Sequence, residues 1–421
     1  MTVATVGAFA AIRHRDYRPF FFTTLTTMLG DNVEHVISYW MIFQAFHSPV
    51  LAGFAVISHW APFLLFGVHF GALADRHDCR KLMAISQVGF IAASLSWSLL
   101  FLTGSLQVWE AVIILTLHGF SGAISSPASQ ILIHDIVGGD DLQSAVRLTA
   151  TSRQIGVLFG PAVGGALLLI LGPAHGLLVN ALFYLPMAAW LLLVPYTGHL
   201  RTGVTAQTPL ALTEALSTLR HVRHHRGIIV MVTLAGLSSL FVGTAYQAQM
   251  PQFATDLSSG QNEVAYSLLL AASAAGAVLG GLALEVSAFF RRPRERVAVL
   301  LSIGWAVAVV AFALVPVYAV AVVALFVAGA LNLGFTAMGQ TLVQLEAPPG
   351  ERGRVVGLFS MSANGLRVGS GVTVGILGAV IGIHASLALS AIAFLAVGLV
   401  LLLLASGRAR RARVEPTSAA D

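Results

Sequence analysis

Of 421 residues, 57% are hydrophobic and 10% charged, with a net charge of +5. At a mean hydropathy of +0.84 the chain cannot hide its apolar surface in one soluble core, where the charged share would be about 25%. The pI near 9.8 therefore reports membrane topology; without a soluble basic domain it excludes a nucleic-acid partner.

A helix needs roughly 20 mostly apolar residues to cross the hydrocarbon of a bilayer. In chain order such stretches fall near 18–45, 50–74, 82–103, 107–134, 144–171, 174–196, 227–252, 263–287, 297–315, 317–345, 355–382 and 384–406. The expectation is an all-α polytopic protein with twelve transmembrane helices. Arg13, Arg15 and Arg18 precede the first span and no small-residue cleavage site follows, which predicts a retained helix and not a removed signal peptide. Of the 23 Lys and Arg residues, only Arg153 and Arg367 lie away from the termini and the even-to-odd loops. The positive-inside rule then puts both termini in the cytoplasm of a bacterial cell, with the protein in its cytoplasmic (inner) membrane. The single cysteine, Cys79, excludes an intramolecular disulfide and reads as an incidental loop thiol.

Span one carries the residues least suited to lipid. Thr24, Thr27, Asp31, Glu34, His35 and Ser38 recur at three- and four-residue spacing and form one polar stripe. Asp31 and Glu34 fall near mid-depth, where a charged carboxylate costs at least roughly 2.5 kcal/mol. Such a cost points to a task, and the pair is assigned proton coupling, with His35 as relay. The architectural alternative makes both carboxylates ionised partners of Arg153 and Arg367, in spans five and eleven. Either arginine can equally bind an anionic substrate. His59, His69 and His118 are lone histidines in spans two and four; they read as satisfied buried side chains, with a coupling role as the second reading.

In span five, Ser152, Gly156, Gly160 and Gly164 recur every fourth residue and make a smooth face on which a neighbouring backbone can pack, while Pro161 weakens the local hydrogen-bond ladder. The expectation is a helix that packs tightly and bends. Gly365 and Gly369 give span eleven a weaker version.

The chain repeats at an offset of 210 residues (340 − 130): Gln130–His134 matches Gln340–Gln344, Gly71–Asp75 matches Gly281–Glu285, and Asp141 matches Glu351. Two six-helix bundles are predicted, at 1–196 and 227–406, joined by a cytoplasmic linker at 197–226 and followed by a basic tail at 407–421. The linker carries Leu212, Leu216 and Leu219 beside Arg220, Arg223 and Arg226, the pattern of a short amphipathic helix. Its His221, His224 and His225 alternate with arginines and read as a solvated surface, so no metal site is expected. No G-x-x-x-x-G-K-[ST] sequence occurs, so no ATP site is expected either, and an ion gradient is the energy source.

The loop after span two, Gly71-Ala-Leu-Ala-Asp75-Arg76-His77-Asp78-Cys79-Arg80-Lys81, resembles the G-x-L-a-D-r-x-g-r-r/k motif of the major facilitator superfamily. Gly30-Asp31 through Trp40, His47-Ser48-Pro49, Gly53 and Pro62 resemble its drug and siderophore exporter branch, which includes macrolide efflux and enterobactin export. The span-five run resembles the G-x-x-x-G-P-x-x-G-G motif of the superfamily's antiporters. His118-Gly-Phe-Ser-Gly122 falls where many of those antiporters carry Arg, a departure from arginine-based coupling. The resemblance implies rocking of two halves about a site near the bilayer midplane. It also implies a conformational latch built from Gly71, Asp75, Arg76 and Arg80, with Glu285 as the repeat mate of Asp75 and the arginines pairing with carboxylates across the interface between halves. The expected protein is a monomeric proton-coupled exporter of a small amphipathic compound, and not an enzyme. An importer on the same fold is the nearest alternative, ahead of a membrane-embedded enzyme or a non-transporting receptor.

Overall fold

In the computed structural model, residues 10–200, 212–258, 260, 262–286, 294–348 and 352–414 are described, and they are helical almost throughout. Ten helices among them are long and apolar enough to cross a membrane. Two features separate that number from the twelve expected. The helix Tyr17–Phe46 is long enough, but its polar stripe dilutes its hydropathy and it is not among the ten. The stretch Ser144–Leu193 counts once, yet its 50 residues span about 75 Å at 1.5 Å per residue, more than twice the hydrocarbon thickness.

We label the helices of the first half α1 (Tyr17–Phe46), α2 (Pro49–Arg76), α3 (Cys79–Thr103) and α4 (Val108–Leu193). Their ends follow from local sequence. His47 adopts a left-handed conformation that stops α1, and Ser48 then caps α2, its Oγ accepting from the Leu51 N–H with Pro49 at the first helical position. Asp78 caps α3 by accepting from the Arg80 N–H, and left-handed Gly104 ends that helix. The long α4 has non-helical backbone only at Gly138 (φ 76°) and Gly172 (φ 74°), a region that penalises a Cβ. The backbone at Pro161 keeps helical dihedrals, and the breaks in α4 fall at the two glycines. A proline in a membrane helix is tolerated when its surroundings satisfy the freed carbonyl.

The described chain divides into two units, Met1–Ala211 with Gln247–Ala271, and Leu212–Tyr246 with Ala272–Asp421. Gln247–Ala271, which by sequence belongs to the second half, falls in the first unit. There the Tyr266 hydroxyl donates to the Val36 carbonyl at 2.8 Å, Gln249 Nε2 donates to the Pro49 carbonyl, and the Tyr266 and Trp40 rings stack.

Inside the first unit α1 and α3 both pack on α4. One core cluster gathers Tyr17 and Phe20 of α1, Met83 of α3, and Leu132, Ile136 and Met187 of α4. Tyr17 is satisfied there by donating to the Ala145 carbonyl at 2.7 Å. The glycine ridge of α4 faces α1: a Cβ on Gly156 would run into Met28, one on Gly160 into Asn32, and one on Gly164 into Val36. These α1 residues also recur every fourth position, so two four-residue rows interlock, the close packing that small residues permit in lipid. Large apolar side chains such as Ile170 and Leu192 point outward, as a lipid solvent requires.

In the second unit, Arg226 pairs with Glu295 at 3.3 Å. A Cβ on Gly276 would meet the Phe326 carbonyl, and one on Gly329 the Ser273 carbonyl, so these helices also meet at backbone distance. Gly371–Ile376 forms a π-helical turn. The Thr373 hydroxyl donates to the Phe241 carbonyl at 2.9 Å, and the Thr373 carbonyl accepts from Ser386.

Cys79 is fully buried as the first residue of α3 and is no loop thiol. Its N–H donates to the Thr197 carbonyl, and Gly198, with φ at 94°, lies against its sulfur.

Candidate functional site

The polar stripe of α1 meets side chains from α2, α3 and α4. His118, from the first section of α4, is 4% exposed. Its Nδ1 lies 2.8 Å from Glu34 Oε1 and its Nε2 lies 2.9 Å from Asp31 Oδ1. One imidazole is thus clasped between two carboxylates. Glu34, 2% exposed, is held further: Ser94 of α3 donates to its Oε2 at 2.6 Å, and Asn180 of α4 donates to Ser94 at 3.0 Å. The Tyr184 hydroxyl reaches the same oxygen at 3.5 Å. Charge-assisted hydrogen bonds of this kind are the strong ones.

His35 and His59 complete the group. His35 Nδ1 lies 2.6 Å from the Asp31 carbonyl and 3.9 Å from its carboxylate. The His35 ring centroid is 4.7 Å from that of His59, on α2, and 4.9 Å from that of His118. A cavity of about 10 Å³ opens among Glu34, His35, Ser38, His59 and His118, close to the space one water needs.

Within this unit the partner that Asp31 and Glu34 share is His118, whose two imidazole nitrogens face the two carboxylates. Arg153 lies on α4 with its Nε buried and without a hydrogen bond among the described residues. Arg367, in the turn after the helix Arg352–Gly365, donates from Nε to the carbonyl of Ala363 in that helix. His69 is exposed, not buried. His59 and His118 matter more than the sequence reading allowed. The available signal was that a polar stripe in lipid needs partners from other spans, and these histidines were the intramembrane polar groups at hand.

The motif loop carries a local fork at the start of α3. Arg80 forks onto Asp78, with Nη2 2.8 Å from Oδ2 and Nε 3.1 Å from Oδ1, and its Nη1 donates to the Val194 carbonyl at 2.7 Å. It therefore ties the start of α3 to the end of α4 within one unit. The fork holds the Asp78 carboxyl below its ordinary value, chiefly through the hydrogen bond from Arg80. Gly71 is buried, while Asp75 and Arg76 are exposed. The side chain of Glu285 lies outside the described residues.

Residues 6–418 match the family described as transmembrane secretion effectors. The chain belongs to the major facilitator superfamily. Among its relatives, the enterobactin exporter EntS of Citrobacter koseri is 28% identical over 82% of this chain and 81% of that protein. Macrolide efflux protein A of Enterococcus faecalis is 24% identical over 53% of this chain and 68% of its own length. The staphyloferrin A transporter of Staphylococcus aureus is 22% identical over 63% of this chain; the match spans 66% of that protein, and that with the MFS-type transporter YvqJ of Bacillus subtilis spans 65%. The fold is similar to that of the nucleoside transporter NupG, with a TM-score of 0.68 at 16% identity over 93% of this chain and 98% of NupG. The protein is therefore a multi-pass membrane protein of a transporter superfamily, with the helical fold its sequence predicts.

Proposed function

We propose that this transporter is a proton-coupled exporter of a small amphipathic compound, working by alternating access, with Asp31, Glu34 and His118 as the coupling site. The observation that carries the reading is the His118 clasp. Two N···O contacts at 2.8 and 2.9 Å each require a hydrogen, so the three groups together hold two protons. Loss of one breaks one arm of the clasp and leaves an additional charge in the membrane interior, where it is costly. Occupancy by protons and the attachment of α1 to α4 are thereby linked. A proton arriving from outside restores the clasp and favours substrate release.

The direction rests on relatives that carry export or efflux in their names, EntS and macrolide efflux protein A. On this reading the protein acts as a monomer in the bacterial cytoplasmic membrane, with both termini in the cytoplasm and no enzymatic step. The test is proton movement in proteoliposomes, with hydrophobic cations, macrolides and catecholate siderophores as trial substrates. Substrate-dependent flux should be lost in Asp31→Asn or Glu34→Gln while binding is retained. Unchanged flux in both variants would sink the coupling assignment.

A further inference from the structure

The same region of α1 offers a donor set that proton coupling does not use in full. Asp31, His35, His59 and His118 each present a ligand atom, and all four atoms lie within 4.8 Å of one another. They come from three helices, α1, α2 and α4. Three imidazole nitrogens and one carboxylate oxygen form a set that suits zinc and its neighbours among the divalent first-row metals; oxygen-loving calcium and magnesium prefer carboxylate, carbonyl and water. A tetrahedron with bonds of about 2.0–2.1 Å has edges of about 3.4 Å. The longest gap must therefore close by about 1.4 Å, within reach of side-chain torsions alone.

Two further observations point to an ion at this place. The first is the cavity of about 10 Å³ lined by His35, His59 and His118, room for one small particle beside the three imidazoles. The second is the support behind His118. Histidines that bind metal almost always give their other ring nitrogen to a carboxylate, a backbone carbonyl or a water, which fixes tautomer and ring orientation. Glu34 does this for His118 Nδ1 at 2.8 Å and is itself held by Ser94, which Asn180 anchors. Nε2 is thereby turned toward Asp31 and the other two imidazoles. Glu34 is not among the four donors, so it stays in place as the orienting group.

We propose that Asp31, His35, His59 and His118 bind one divalent transition-metal ion of the zinc class, which takes the place of the hydrogen between His118 Nε2 and Asp31. The carboxylate and the three neutral imidazoles leave the bound dication with a net charge of +1, offset by the Glu34 carboxylate behind His118. Metal binding here goes beyond proton coupling and does not depend on it.

The full untagged chain, purified in nanodiscs and stripped with chelator, is titrated with Zn²⁺ against a chromophoric chelator. One site per chain is expected, with affinity weakened at least ten-fold in His35→Gln and in His59→Gln. His224→Gln, in the exposed linker, should leave it unchanged. Wild type loaded with Co²⁺ should show the intense visible absorption of a four-coordinate nitrogen-rich site, a readout that needs no variant to fold. X-ray absorption of the Zn²⁺ form should give histidine nitrogens at about 2.0–2.1 Å. Absence of stoichiometric binding, affinity unaltered in both histidine variants, or loss only with His224→Gln would each overturn the proposal. Zinc binding is read without transport, so a failure here leaves the proton-flux test standing, and the converse also holds.

Discussion

Two faces of α1 solve opposite problems on one helix. Met28, Asn32 and Val36 meet the glycine ridge of α4, where the fit is so close that no Cβ is tolerated at Gly156, Gly160 or Gly164. Asp31, Glu34 and His35 face the imidazole cluster, where His118 bonds both carboxylates and Ser94 and Tyr184 share the second oxygen of Glu34. One face holds the helix by shape and the other by charge and hydrogen. Polar groups in lipid are tolerated only when partnered, so the chemically active face depends on the inert one to keep its partners within bonding distance.

Removing the imidazole should separate the faces most sharply. His118→Ala leaves the buried Glu34 and the partly buried Asp31 without their shared partner, and loss of one partner from a buried charged group costs about 3–5 kcal/mol. Denaturation in mild detergent should show that loss, and adding Glu34→Gln to the same chain should recover part of it. A wild-type midpoint for His118→Ala would show that the clasp does not hold the helices together. Next in size, Gly160→Val tests the shape face: overpacking costs about 1–3 kcal/mol, and the unfolding midpoint should fall, with proton coupling weakened alongside it as the polar face loses its placement. If Gly160→Val unfolds like wild type, the interlocked rows carry no stability.

The smallest effect is expected outside the membrane. Asp78→Ala removes the cap of α3 and the anchor of Arg80, a loss of about 1 kcal/mol, whereas Asp78→Asn keeps the cap and should lose less. The Asp78 carboxyl is lowered by Arg80, so its contribution is complete above the ordinary carboxylate value and fades as pH falls through the lowered one. The midpoint gap between wild type and Asp78→Asn should therefore close on acidification; a gap that widens would reverse the assignment.

The periodicities made one side of each contact legible. Spacing alone put Asp31, Glu34, His35 and Ser38 on one face and the four-residue ridge on another, because a helix fixes which of its own residues are neighbours. It could not show that His118, 84 residues beyond Glu34, closes the clasp, since nothing local encodes which span packs beside α1. An imidazole partner was hard to foresee for a related reason. Charge complementarity selects a type of partner, while packing decides which one arrives, and the chain bends at Gly138 and Gly172 that bring α4 back across α1 are set by backbone freedom and not by charge.

The burial of Cys79 has a practical consequence. The only native thiol is fully enclosed, with its sulfur against Gly198 and donating to the Ala74 carbonyl. A maleimide or nitroxide reagent meets no accessible sulfur on the folded chain. Cysteines introduced in pairs into the wild-type background can then carry spin labels or fluorophores alone, so distances during a transport cycle become measurable without first rebuilding the protein.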